Sequence, residues 1–377
     1  MFAGSAFGMT AAAATAATDP EPTSRKGYSV KDLARNFLQV LGETGPVASG
    51  KLLHYTADMV ASGGLDLWQK LCWDYAFEHI GIASPRVFVY LRRKFSELTE
   101  LHSRLPFSEF VNRPEVQQAS VEVALVLQSC PKRQKTKLPM VPPETHREEW
   151  LHALPRVTQE KEAVLKVWSA AHDQDLMFLA ANYMVGAVVE GALEKTLFWL
   201  RWLQEEDMRM RKQYGMGLTS LERGPPTVPA KQRTAMGFYL CSVAAEVYKE
   251  FAGKNMVRMH EEFQCLLDLY RSADKHLSPK HKQDAIILLY QLLTEVPRWK
   301  VPAAPSVMKD PVVLGRAVQQ AEVFYREILM LPLPPKPLPT RVTGITARKK
   351  EAKMNKNEAL EAQLDDVDSM IMGFYGT

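Results

Sequence analysis

Apolar residues recur at spacings of three and four along almost the whole of this chain, a period that suits helices and no sheet. Val30, Leu33, Ala34, Phe37, Leu38 and Leu41 share one helical face, which starts at Ser29, a natural N-cap, and stops at Gly42. The same reading predicts helices over Ala48–Ala61, Leu65–Ile80 and Pro114–Gln128. Ser84-Pro85, a cap followed by proline at the first helical position, opens another through Val87, Phe88, Leu91, Phe95, Leu98 and Leu101. Further along, helices are predicted over His146–Ala153, Gln159–Ala171, Gln174–Lys212 (broken near Gly186 or Gly191), Ala230–Ala252, Met256–Ala273, Pro279–Thr294 and Pro311–Met330. Only Arg341–Thr346 carries a faint strand-like alternation, and no internal repeat is present. The fold class that follows is all-α, with about ten to twelve helices.

Prolines and charge runs divide the chain. Residues 130–145, CPKRQKTKLPMVPPET, combine four prolines with a basic run and keep no apolar period, which marks a linker. Two helical lobes are therefore expected, 29–129 and 146–330. Residues 1–28 are small and polar and are expected to be a disordered tail. Residues 331–340, LPLPPKPLPT, favour extended polyproline II. They begin a C-terminal segment, 331–377, whose remainder is charged, poor in apolar residues and expected to be disordered, with a transient helix at Glu358–Leu364.

Composition narrows the class of protein. At 377 residues and 46% hydrophobic content, the chain can bury a full core. Cys72, Cys130, Cys241 and Cys265 lie far apart, which argues for reduced thiols in an intracellular compartment, nuclear or cytoplasmic. Three of them, Cys72, Cys241 and Cys265, fall within apolar helical patterns and read as core. The longest apolar stretch, Leu176–Val189, contains Asn182 and is too short to span a bilayer, so no membrane association is expected. A net charge of +4 does not by itself imply nucleic acid.

Catalytic signatures are weak. Gly45-Pro-Val-Ala-Ser-Gly50-Lys51-Leu52 approaches the phosphate-cradling loop, but Leu52 replaces the hydroxyl that holds magnesium, and a helix rather than a strand precedes it. A turn between helices is the plainer reading. Glu149-Trp150-Leu151-His152 is one copy of a Glu-x-x-His element, where a di-iron bundle needs two, so Glu149 and His152 read as surface residues. His276 and His281 flank the Ser278-Pro279 helix start and are expected to face solvent. Phe198, Trp199, Trp202 and Leu203 read as core, followed by a solvated helix end from Glu205 to Lys212. No nucleophile elbow is present. The chain is expected to be non-enzymatic, with no cofactor, metal or catalytic residue assigned.

Two basic clusters stand out. Lys132, Arg133, Lys135 and Lys137 fit the short basic pattern of nuclear import signals, in an exposed, proline-flanked context; a phosphate-backbone contact or a plain solvated linker are the other readings. Arg348, Lys349, Lys350 and Lys353, with Lys356 beyond, lack interleaved aromatics and suit non-specific contact with polyanions.

The chain ends on Asp368-Ser-Met-Ile371-Met-Gly-Phe374-Tyr375-Gly-Thr377, an apolar triplet at the end of a polar segment. Asp368-x-x-Ile371-x-x-Phe374-Tyr375 resembles the PIP box, the peptide by which replication and repair proteins dock on the PCNA sliding clamp. The resemblance covers only these last residues. It implies Ile371 as the aliphatic plug and Phe374 with Tyr375 as the paired aromatics, brought to one side by a single 3₁₀ turn. Asp368 stands where the motif has Gln, which removes an amide donor and adds a negative charge. The expectation is a helical adaptor whose C-terminal tail docks on a protein partner, the sliding clamp being the partner the resemblance implies. Docking on another partner, folding of the tail onto its own domain, and an inert end remain open. The alternative of another class is a structural assembly protein, a shell or virion component whose tails bind neighbouring subunits. An enzyme with an unrecognised helical site is a third.

Overall fold

Ser29 starts the first helix as its sequence requires: its hydroxyl accepts from the Asp32 amide, satisfying one of the orphan donors of a helix start. The computed structural model describes residues 22–154, 160–254, 260–274, 276–295, 310–336 and 338–339. The described residues are helical, and their only strand-type pairings are two isolated bridges, Thr23 with Ser29 and Thr219 with Ala235.

The first half comprises α1 (Val30–Gly42), α2 (Pro46–Ala61), α3 (Leu65–Tyr75), α4 (Arg86–Arg104), α5 (Phe107–Asn112) and α6 (Pro114–Ser129). A π-turn, Ala76–Ile80, and a 3₁₀ turn, Gly81–Ala83, finish the helix predicted to run from Leu65 to Ile80. Gly45, at φ 103°, caps α2, and Gly50 and Lys51 lie inside that helix, so the loop-like sequence is a helix start. Helices α1, α2 and α6 pack on one another. Trp68 and Trp73 of α3 are buried against Phe88 and Phe95 of α4.

The second half contains α7 (Glu148–Ala153), α8 (Glu162–Leu165), α9 (Asp175–Glu190), α10 (Leu193–Tyr214), α11 (Ala230–Arg233), α12 (Met236–Gly253), α13 (His260–Arg271) and α14 (Pro279–Glu295). Every residue from Asp284 to Thr294 in α14 is buried, so this helix is enclosed on all sides. It packs against α9, α10, α12 and α13. The predicted break between α9 and α10 falls at Gly191, a left-handed residue at φ 68°. The Ala192 amide reaches back to the Ala187 carbonyl at 2.8 Å, closing the helix with a Schellman-type bond. The helix predicted over Gln159–Ala171 is only Glu162–Leu165 among the described residues; Trp168 and Asp173 instead belong to a turn held by Arg223.

The last two helices, α15 (Pro311–Gln319) and α16 (Ala321–Leu329), replace the single one predicted over Pro311–Met330. They pack on α2 and α6 rather than on their sequence neighbours, and Tyr325 Oη meets Ser120 Oγ at 2.6 Å. The packing therefore crosses the 146–330 boundary expected from sequence: 311–329 completes the first half. One continuous apolar core runs from Val30 to Leu338. The halves also meet directly, α4 on α13, and the turns after α3 on α14.

Parts of both expected tails belong to this body. Arg25 donates to the Ser62 hydroxyl through its backbone (2.8 Å) and to the carbonyls of Ala61 (2.7 Å), Leu329 (3.2 Å) and Leu331 (2.6 Å) through its guanidinium. Residues 22–28 are thus structured, where disorder was predicted to residue 28. In the proline-rich segment, Leu338 is buried beside Gly64. Residues 1–21 and 340–377, including the strand-like hint at Arg341–Thr346, lie outside the described residues.

Candidate functional site

The predicted linker is a strap that crosses both halves. It leaves α6 extended, with Cys130 at φ −57° and ψ 144°, and both Cys130 and Val141 are buried in the core. Between them, the basic run is bound to the body. The Lys132 ammonium donates to the Leu41 carbonyl at 3.0 Å, at the C-terminal end of α1, where the helix dipole favours a cation. The Arg133 amide donates to the His79 carbonyl at 2.9 Å, and its guanidinium pairs with Glu295 at 3.0 Å. Lys135 Nζ meets Asp284 Oδ1 at 2.6 Å. Thr136 Oγ1 donates to Gln291 Oε1 at 3.2 Å. Lys137 is exposed. Lys132 and Arg133 are exposed too, as expected of this run, and Lys135 is partly buried; three of the four cations, Lys132, Arg133 and Lys135, are also engaged within the chain.

Asp284 is the more buried of the two carboxylates that pair with the strap. Burial pushes its carboxyl above the ordinary aspartate range, and the Lys135 ammonium offsets this only partly. Its second oxygen, Oδ2, is buried and makes no hydrogen bond. A void of about 20 Å³ lies beside it, between the strap and α14, lined by Phe77, Ile82, Lys135, Asp284 and Leu288. That is room for about one water.

The far end of the strap is fixed by a second buried cluster. A 3₁₀ turn, Pro143–His146, delivers His146 onto the face of Trp202, with ring centroids 5.3 Å apart. Trp202 Nε1 donates to the Thr145 carbonyl at 3.1 Å. His146 Nδ1 lies 2.9 Å from Glu206, whose carboxylate also takes Arg209. Burial works against both charges, but the pairing outweighs it: His146 is raised above the usual histidine value, and Glu206 is held down at about 2. Trp199 and Trp202 are core, as predicted. Glu206 corrects the expectation of a solvated helix end, because its side chain is 1% exposed.

The histidines near α14 are also a correction. His276 and His281 are buried, not solvent-facing. His276 lies 2.9 Å from both Asp274 and Asp66. His281 Nδ1 accepts from the Ser278 amide, and the His281 amide donates to the Ser278 hydroxyl, a reciprocal cap. Its Nε2 is left to donate to Asp74 Oδ1 at 2.6 Å. Together with Lys280–Glu78 and Arg92–Asp268, these contacts set nitrogen donors on one half against carboxylates on the other, or the reverse, across the junction. Sequence spacing gave no sign of them, because the partners are some two hundred positions apart.

An open groove of about 520 Å³ lies between α4 and α13, where Arg92, Arg93, Glu97, His260 and Gln264 mix both signs of charge. Glu149 and His152 are exposed on α7, as expected. Among the described residues, no group of three or more His, Cys, Asp or Glu is placed to hold a metal ion. All four cysteines are buried with free thiols. Also among the described residues, no helix is long and apolar enough to cross a membrane. Asp368, Ile371, Phe374 and Tyr375, and the cluster Arg348, Lys349, Lys350 and Lys353, lie outside the described residues. No family model, curated protein or solved structure matches this chain.

Proposed function

We propose that this chain is a non-enzymatic helical adaptor that presents a C-terminal peptide to a protein partner of the sliding-clamp class, as an accessory factor in DNA replication or repair. The observation that carries the reading is the terminal Ile371-x-x-Phe374-Tyr375. Three apolar anchors in one short peptide suit a small apolar pocket, and interfaces of this kind draw most of their affinity from such anchors. The body supplies a fixed point for the tether, because Leu338 is seated beside Gly64. From there, residues 340–367 can reach at most roughly 100 Å, enough to span a neighbouring protein.

The test is a titration of the intact chain against a purified sliding clamp. Binding at micromolar concentration is expected, with Phe374→Ala and Tyr375→Ala each weakening it about tenfold or more. Absence of binding at about 100 μM overturns the clamp reading. Asp368→Gln, which restores the amide of the motif, should tighten binding.

A further inference from the structure

The strap is built differently in its middle than at its ends. Cys130 and Val141 are 3% and 4% exposed and belong to the core. Every residue from Lys132 to Lys137 is polar. This stretch is held by the Lys132–Leu41, Arg133–Glu295, Lys135–Asp284 and Thr136–Gln291 contacts and by a backbone hydrogen bond to His79. Arg133–Glu295 has a largely exposed guanidinium, and such a pair contributes little and weakens with salt, whereas the Asp284 side chain is 7% exposed, so Lys135–Asp284 is the contact that holds the stretch most firmly. The Arg133 side chain is 46% exposed, and a void of about 20 Å³ lies next to Asp284. Lifting the middle breaks these contacts and that of the Lys132 ammonium over the Tyr75 ring, while Cys130 and Val141 stay anchored in the core.

We infer that residues 132–137 form a basic signal that its own protein holds shut. Asp284, Glu295 and the carbonyls ending α1 occupy the cations that an import receptor with an acid-lined groove would read as Lys132-Arg133-Gln134-Lys135. Docking on the body and binding to the receptor are mutually exclusive, because both use the same ammonium and guanidinium groups. The partner is a protein groove that takes a basic peptide in non-helical form: the chain leaves α6 extended at Cys130, residues 131–142 are not helical, and the run has no aromatic on which a base could stack. This inference stands apart from the tail, since it uses no residue beyond 295.

The experiment compares the intact chain, its Glu295→Gln and Asp284→Asn/Glu295→Gln variants, and a peptide of residues 129–139. Each is titrated against a purified nuclear-import receptor stripped of its own autoinhibitory arm, and in parallel against a short DNA duplex. The peptide should bind the receptor most tightly and lose binding with Lys132→Ala. The intact chain should bind more weakly than the peptide, Glu295→Gln about threefold more tightly than the wild type, and the double variant about tenfold. Glu295 ends α14 at a partly exposed site, so its variant keeps the test decisive even where Asp284→Asn fails to fold; unchanged helical circular dichroism verifies this. A peptide that does not bind the receptor overturns the inference. So do variants that bind no more tightly than the wild type, or that gain affinity for DNA and not for the receptor.

Discussion

The Glu206 carboxylate lies between His146 and Arg209 with its side chain 1% exposed, so its charge is stabilised only by those two partners. Its pKa is about 2 in the folded chain against an ordinary 4.5, a depressed acid. A depressed acid stabilises the fold above its unfolded pKa and loses that contribution as pH falls towards the folded one. His146 is raised above 6.5, so its charge stabilises the fold below that pH and is lost as pH rises through its folded pKa. Glu206→Gln should therefore cost most between these limits, about 2–3 kcal/mol near pH 5.5, with the gap to wild type closing by pH 2 and narrowing above neutrality. Thermal melts across that range test this, and a gap independent of pH contradicts it. None of this was legible in the sequence. Glu205 and Glu206 open a charged run that reads as a solvated helix end, and their partner His146 arrives from a proline-rich segment with no apolar period. His276 and His281 escaped for the same reason, since Asp66 and Asp74 become neighbours only through the fold.

At the scale of elements, the two glycines of the long Gln174–Lys212 stretch have opposite roles. Gly191 sits at φ 68°, where a Cβ is strained, and it ends α9. Gly186 lies inside that helix, and a Cβ there would meet Lys161 Cε at an ordinary 3.5 Å. Gly191→Ala should lower stability by about 1 kcal/mol, and Gly186→Ala should raise it by about 0.5–1 kcal/mol, as denaturant midpoints would read. Equal effects of the two would contradict the assigned break. Long helices with a clear apolar period were legible: in α1 periodicity and the Ser29 cap agree, while in α4 periodicity sufficed, because the N-cap is Pro85 and the expected Ser84 hydroxyl caps nothing. The short ones were not. α5 occupies six residues between prolines, too few for a period, and the Thr234–Ala235 and Gln320 breaks carry no glycine or proline to mark them. In α8 tertiary contacts decide instead: Arg223 ties the following turn to Asp173, and a helix cannot continue through it.

For the whole molecule, chain order and packing order part company at the C-terminal helices. α15 and α16 return to α2 and α6, and Arg25 joins the N-terminal segment to the end of α16 through the Leu329 and Leu331 carbonyls. Arg25→Ala should cost about 1–2 kcal/mol and make residues 331–336 more sensitive to protease, while the rest of the body stays resistant. The all-α class was legible from periodicity alone, but this closure was not, because nothing local in Pro311–Leu329 says which helices it covers. The closure also fixes where the tether to the terminal peptide begins, and the adaptor reading depends on that peptide. The most direct test is sedimentation of the intact chain mixed with a sliding clamp at micromolar concentration, beside its Phe374→Ala variant. The adaptor reading predicts a wild-type complex that Phe374→Ala abolishes without changing the helical content of the body. Identical sedimentation of the two chains, with or without the clamp, would contradict it.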